Sequence, residues 1–124
     1  MATSNTNPQI RTPHSPLETL IWQALRRYGE FHPGAVDGET GLMFLEFANM
    51  VIDDIRQHPY APDVDLDYYT SLQDARPIDD QIIVAGLLHH FATQQGSEKL
   101  QVYTPTYYQT MNRHLWNAYN GNTR

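Results

Sequence analysis

The stretch Asp79-Asp80-Gln81-Ile82-Ile83-Val84-Ala85-Gly86-Leu87-Leu88, residues 79–88, decides the fold. Two carboxylates open it, where the positive end of a helix dipole favours anions. After Gln81 come seven residues without a polar side chain. A helix that is apolar nearly all round has no solvent face of its own and belongs at the centre of a bundle. Gly86 costs about 1 kcal/mol relative to alanine inside a helix, so it predicts the close approach of a neighbouring helix. This helix is expected to start near Pro77 and to stop at Gly96.

A central helix needs amphipathic partners, and the flanking sequence supplies them. Leu17, Leu20, Ile21, Ala24, Leu25 and Tyr28 recur at offsets 0, 3, 4, 7, 8 and 11, which is one stripe of a helix. Ser15-Pro16-Leu17-Glu18 reads as a capping box with proline at the first helical position, and Gly29 as its C-terminal stop. Phe44, Phe47, Ala48, Val51, Ile52 and Ile55 repeat the same offsets in a second helix, expected from about Thr40 to Gln57, with Pro59 beyond it. Thr104-Pro105 opens a fourth helix presenting Tyr108, Met111, Leu115, Trp116 and Tyr119, and Asn120-Gly121-Asn122 ends it. The fold expected is all-α: a small bundle of about four helices in a single domain, 15–124, preceded by a flexible arm, 1–14. Between the second and third helices lies a long acidic loop, 58–76. There Leu66, Tyr68 and Thr70 alternate with Asp67, Tyr69 and Ser71, as a short extended piece would.

Composition bounds the chemistry. The 124 residues contain 40% hydrophobic residues and no cysteine, which removes disulfides, thiolate metal sites and cysteine nucleophiles. No apolar run approaches the roughly 20 residues of a membrane span, and the first sixteen residues lack the apolar region of a secretory signal. The net charge of -6 is unevenly spread: residues 30–80 carry twelve acids against Arg56 and Arg76, between two mildly basic ends. Such a block does not bind phosphate backbones, because affinity for nucleic acid comes from Lys and Arg displacing counterions. It serves solubility, or sign complementarity between copies, or a surface that does not stick to DNA beside it.

The candidate chemical sites fall short of their templates. Asp63, Asp65 and Asp67 match positions 1, 3 and 5 of a calcium loop, but Tyr68 stands where glycine must turn and Asp74 where a bidentate glutamate is needed. His89 and His90 are consecutive and point about 100° apart on a helix, with His90 expected inward and hydrogen-bonded. Asp53/Asp54 and Asp79/Asp80 diverge for the same reason. There is no phosphate loop, serine elbow or HExxH. No cofactor, metal site or catalytic residue is assigned, and the chain is not expected to be an enzyme. The less favoured readings are a carboxylate-based hydrolase and a cation-binding loop.

What stands out is a surplus of apolar and aromatic side chains. Leu42, Met43, Leu45 and Met50 fall outside the stripe of the second helix. Tyr103, Tyr107, Trp116 and Tyr119 crowd the last quarter, where Tyr107 and one of Trp116 or Tyr119 should lie near the surface. With Arg124 they are the candidate interface residues, since exposed aromatics are enriched at protein–protein contacts.

Several stretches resemble the head-to-tail adaptor (connector) proteins of tailed bacteriophages, the short-tailed type in particular. They are Leu25-Arg26-Arg27-Tyr28-Gly29, Phe47-Ala48-Asn49-Met50-Val51-Ile52-Asp53-Asp54-Ile55-Arg56, Arg76 through Leu88, Gln94-Gln95-Gly96-Ser97 and Tyr107-Tyr108-Gln109-Thr110-Met111-Asn112. The resemblance implies a virion protein, made in the host cytoplasm, that forms a ring of identical subunits, usually twelve. Its partners would be the portal protein above and a tail (nozzle or tube) protein below, with no membrane involved. Double-stranded DNA would pass through the channel without specific binding, and the ring would help retain the packaged genome. A helical assembly factor that forms no ring is the alternative. Family members often carry a longer C-terminal extension reaching the portal. In this chain either the Asn-Gly-Asn-Thr-Arg end with the fourth helix docks, or the N-terminal arm contributes.

Overall fold

The computed structural model describes residues 14–29, 36, 38–62 and 64–119. Among them are four helices and no strand: α1 (Leu17–Tyr28), α2 (Gly38–Arg56), α3 (Asp80–Gln95) and α4 (Leu100–Tyr119). The all-α bundle is therefore the architecture that the sequence predicts. The arm, apart from His14, lies outside the described residues, as does Arg124.

α3 packs against each of the other helices, and α1 also meets α2. Residues 82–88 are all buried, with Phe91 and Ala92 beyond them. At Gly86 the packing leaves no room for a methyl group. A Cβ there would stand 2.3 Å from Val51 Cγ2 on α2 and 2.9 Å from the Tyr107 ring on α4. The missing side chain lets two helices converge on the third at one point.

The amphipathic stripes of α1 and α2 are buried as their offsets predict. The ends of the helices differ from expectation in instructive ways. Ser15 forms no capping box; its amide and hydroxyl donate instead to the Asp80 carboxylate at the start of α3 (3.1 and 2.7 Å). The first amides of α1 are satisfied from a distance: Leu17 N donates to Asp74 O and Glu18 N to Leu72 O. A tertiary contact thus does the work of a local cap. α3 begins at Asp80, three residues after Pro77, and Asp79 caps it by accepting from Gln81 N. α4 begins at Leu100, so Pro105 lies inside it rather than at its start. Its first turn is wound by i→i+3 bonds from Ser97, Glu98 and Lys99. Gly29 and Gly96, both at positive φ, end α1 and α3 as expected.

The acidic connector adopts no strand. Leu66 and Tyr69 are buried while Tyr68 and Thr70 are exposed, a spacing of three that the two-residue alternation does not fit. Side chains from α2 hold it down. Asn49 pairs with both backbone groups of Tyr69 (2.7 and 3.1 Å), as a neighbouring strand would. The Arg56 guanidinium grips the Leu66 carbonyl through Nε and Nη2. Arg76 reaches back to the carbonyls of Asp67 and Tyr68.

Replacing Gly86 with alanine should destabilise the protein by about 1–3 kcal/mol, the range for overpacking a filled core, despite the propensity gain of about 1 kcal/mol that alanine brings to a helix. Urea unfolding followed by circular dichroism measures the difference.

Candidate functional site

The convergence at Gly86 creates a seam between α2 and α4, and the polar groups of the bundle gather along it. The Tyr107 side chain is fully buried, and its hydroxyl donates to Asp54 Oδ2 at 2.7 Å. His90 of α3 lies under the same carboxylate, with Nε2 3.5 Å from Oδ2. That is an ion-pair distance, and His90 Nε2 has no hydrogen-bond partner. His90 is inward, as expected, but not hydrogen-bonded at this nitrogen. Its ring stacks on Phe47, and the His89 ring stacks on Tyr107 while His89 Nδ1 pairs with Thr104 Oγ1 (2.9 Å).

Burial sets the protonation of this cluster. It raises the Tyr107 phenol far above its usual value, and the Asp54 charge and hydrogen bond push it further the same way. Burial also works to raise Asp54, but the interactions with His90 and Tyr107 outweigh it and hold the carboxyl below the ordinary range. His89 is lowered, by burial first and then by the neighbouring His90 charge.

Toward the end of the seam the links turn outward. His58 Nε2 pairs with Asn112 Oδ1 (2.7 Å), and the Tyr60 ring meets Trp116 edge-on at 5.1 Å. At about 100° per residue, Tyr108, Asn112, Trp116 and Tyr119 share one flank of α4, and Met43, Phe47, Met50 and Asp54 one flank of α2. Trp116 and Tyr119 are each 48% exposed, Tyr108 47% and Met50 45%. The seam therefore carries a row of apolar side chains that the bundle does not cover.

The predicted interface residues divide accordingly. Met50 and Trp116 flank the seam, with the half-buried Met43, whose sulfur accepts from Gln94 (3.4 Å). Leu42, 61% exposed, stands on the outward crest of α2, and half-buried Leu45 on the far flank. Tyr103 is half-buried with its ring 6.0 Å from Tyr28. Tyr107 is a correction. It is a core residue, and both Trp116 and Tyr119 lie at the surface instead of one of them. The reason is register: α4 buries Tyr107, Thr110, Met111 and Leu115, so Tyr108, assigned inward from the sequence, faces out. Arg124 lies outside the described residues.

The paired carboxylates diverge as expected. Asp53 accepts from the Tyr68 hydroxyl (2.6 Å) while Asp54 accepts from Tyr107. Asp79 faces His114 (3.2 Å) while Asp80 holds Ser15. Asp74 serves the connector itself. Its carboxylate accepts from the amides and hydroxyls of Thr70 and Ser71, bonds that hold it down to about 2. Asp63 lies outside the described residues. Among the described residues no group of three or more His, Cys, Asp or Glu is placed to hold a metal ion, and no helix is long and apolar enough to cross a membrane.

The sequence signals missed Asp54, His58, Tyr60 and Thr104, whose roles come from partners far along the chain. No protein-family model matches the chain, and no curated protein or solved structure matches it either.

Two outcomes follow from the cluster. Tyr107→Phe removes the short hydrogen bond from a half-buried carboxylate and should cost about 1–2 kcal/mol in urea unfolding. The lowered His89 and Asp54 make the folded chain bind protons less readily than the unfolded one, so stability rises with pH. The His89 contribution is complete above its unfolded value of 6.5 and is lost as pH falls below it; that of Asp54 is lost below 3.8. Thermal midpoints should drop between about pH 7 and pH 5, and His89→Gln should flatten that slope.

Proposed function

We propose that this chain is a structural adaptor of a tailed-phage virion. Identical copies, twelve on the family pattern, form a ring between portal and tail protein, through which double-stranded DNA passes without specific binding. One observation carries the reading: exposed apolar side chains lie at two places on a bundle whose core is already complete. Met50, Tyr108 and Trp116 flank the α2–α4 seam, and Leu42 stands on the outward crest of α2, about 80° around that helix from Met50. A closed ring of identical subunits needs two different patches on each. The stretches similar to adaptor proteins, which span all four helices, support the same reading.

The charge distribution is compatible with a DNA channel. Both cations of the acidic block are engaged internally, Arg56 on the Leu66 carbonyl and the Tyr68 ring, and Arg76 on the connector backbone. Glu39, Glu46, Asp65 and Asp67 remain exposed. A surface of this sign does not grip a duplex, which suits a conduit through which DNA must slide.

The test is co-expression with the portal protein of a short-tailed phage, followed by electron microscopy and light scattering. Expected are rings seated on the portal. Trp116→Glu on α4 and Leu42→Glu on α2 should each weaken ring formation at least tenfold, about 1.4 kcal/mol, with helical content and melting unchanged. A chain that stays monomeric at every ratio to portal would overturn the reading.

A further inference from the structure

At the end of the bundle where α1 begins and α4 finishes, a cleft of about 650 Å³ opens between the connector and the helices. Its floor is formed by the edges of Ile55, Leu66, Ile78 and Leu115, and its lining includes Asp65 and Asp79. The chain enters the structure at this cleft. His14 is part of the lining, and its Nδ1 donates to the Ile78 carbonyl (3.1 Å). Next to it, Ser15 is clamped twice onto Asp80. Residue 14 is thus fixed at the rim, and whatever precedes it starts there.

What precedes it is Asn7-Pro8-Gln9-Ile10-Arg11-Thr12-Pro13. Asn7 and Thr12 each stand before a proline, which disfavours helix and favours extended backbone. Between them sit Ile10, the one branched aliphatic side chain before Leu17, and Arg11, the one basic residue before Arg26 apart from His14. An apolar group beside a cation is the complement of an apolar floor beside the exposed Asp65 carboxylate, Asp79 being already paired with His114.

We infer that the cleft is a peptide-docking site whose occupant is the chain's own Ile10-Arg11 pair, Ile10 on the floor and Arg11 against Asp65. Four extended residues span at most about 13 Å, so the tether at His14 keeps Ile10 within reach of this cleft. Docking in the same subunit then needs no second molecule, because the tether supplies the effective concentration. The inference does not rest on the ring reading and survives its failure.

Two measurements on the full chain test it. Nuclear Overhauser contacts are expected from the Ile10 methyls to Val64 and Leu115, with intensities unchanged on dilution. Tryptic cleavage after Arg11, followed by mass spectrometry, is expected to speed up in Asp65→Lys by about two- to fivefold, the factor a surface ion pair is worth. Glu46→Lys, the same charge change on an exposed residue outside the cleft, should leave that rate unaltered. Absence of the contacts overturns the proposal, as does equal acceleration in both variants. Contacts that fade on dilution place the segment in a second copy and overturn the intramolecular occupant.

Discussion

At Gly86 three helices meet with less than a methyl group to spare, and much else depends on that close approach. Val51 from α2 and Tyr107 from α4 press on the same position of α3. α4 is long and packs on α3. Tyr107 is its anchor. An aromatic ring supplies a large contact area, but burying a phenol costs free energy unless its hydroxyl is satisfied. Asp54 satisfies it. The hydrogen bond joins α2 and α4 and places a carboxylate over the histidines of α3. The core packing thereby determines where the bundle's most coupled titratable groups sit.

The same economy governs the connector. A segment with many acids and little apolar content has no reason to fold by itself. It is ordered because α2 offers it an amide and a guanidinium at the right spacing, and because its own carbonyls are wanted elsewhere. The carbonyls of Leu72 and Asp74 cap α1, so the loop and the helix each meet the unpaired groups of the other. Removing a cap contact of this kind disturbs two elements at once, which ties the start of α1 to the middle of the chain and, through Ser15 and Asp80, to the start of α3.

Element type was legible wherever the hydrophobic period was strong. The stripes of α1 and α2 and the all-apolar run of α3 translate directly into burial, and the glycine stops at 29 and 96 hold because left-handed backbone leaves little choice of residue. Legibility failed where partners are distant. Ser15 has the composition of a local cap, yet Asp80 outcompetes that role. Pro105 reads as a helix start, yet the preceding turn winds in 3₁₀ fashion, and a proline near a helix start interrupts few backbone bonds. On α4 two aromatics, Tyr107 and Tyr108, are adjacent, and sequence alone does not tell which points inward. The deciding features are the gap at Gly86 and the acceptor on Asp54, one 21 and the other 53 positions from Tyr107. The candidate interface was correspondingly half legible: Met50 and Trp116 were recognised from surplus apolarity, while Tyr60 and His58 gain their places only through folding.

Charge and apolar surface together constrain how copies of this bundle could meet. A two-fold contact sets each patch against itself, so any contact centred on α2 and the connector would bring Glu39, Glu46, Asp65 and Asp67 against the same acids of the partner. Like charges juxtaposed in this way are costly. A head-to-tail contact escapes the problem, because one patch meets a different one. The exposed cations are placed to serve it: Arg27 ends α1 and Arg113 lies on α4, both outside the acidic segment. A repeated head-to-tail contact closes into a ring if its rotation divides the circle and otherwise runs on as a filament. The separation of charge along this chain therefore disfavours a two-fold contact centred on α2 and the connector, and that contact alone.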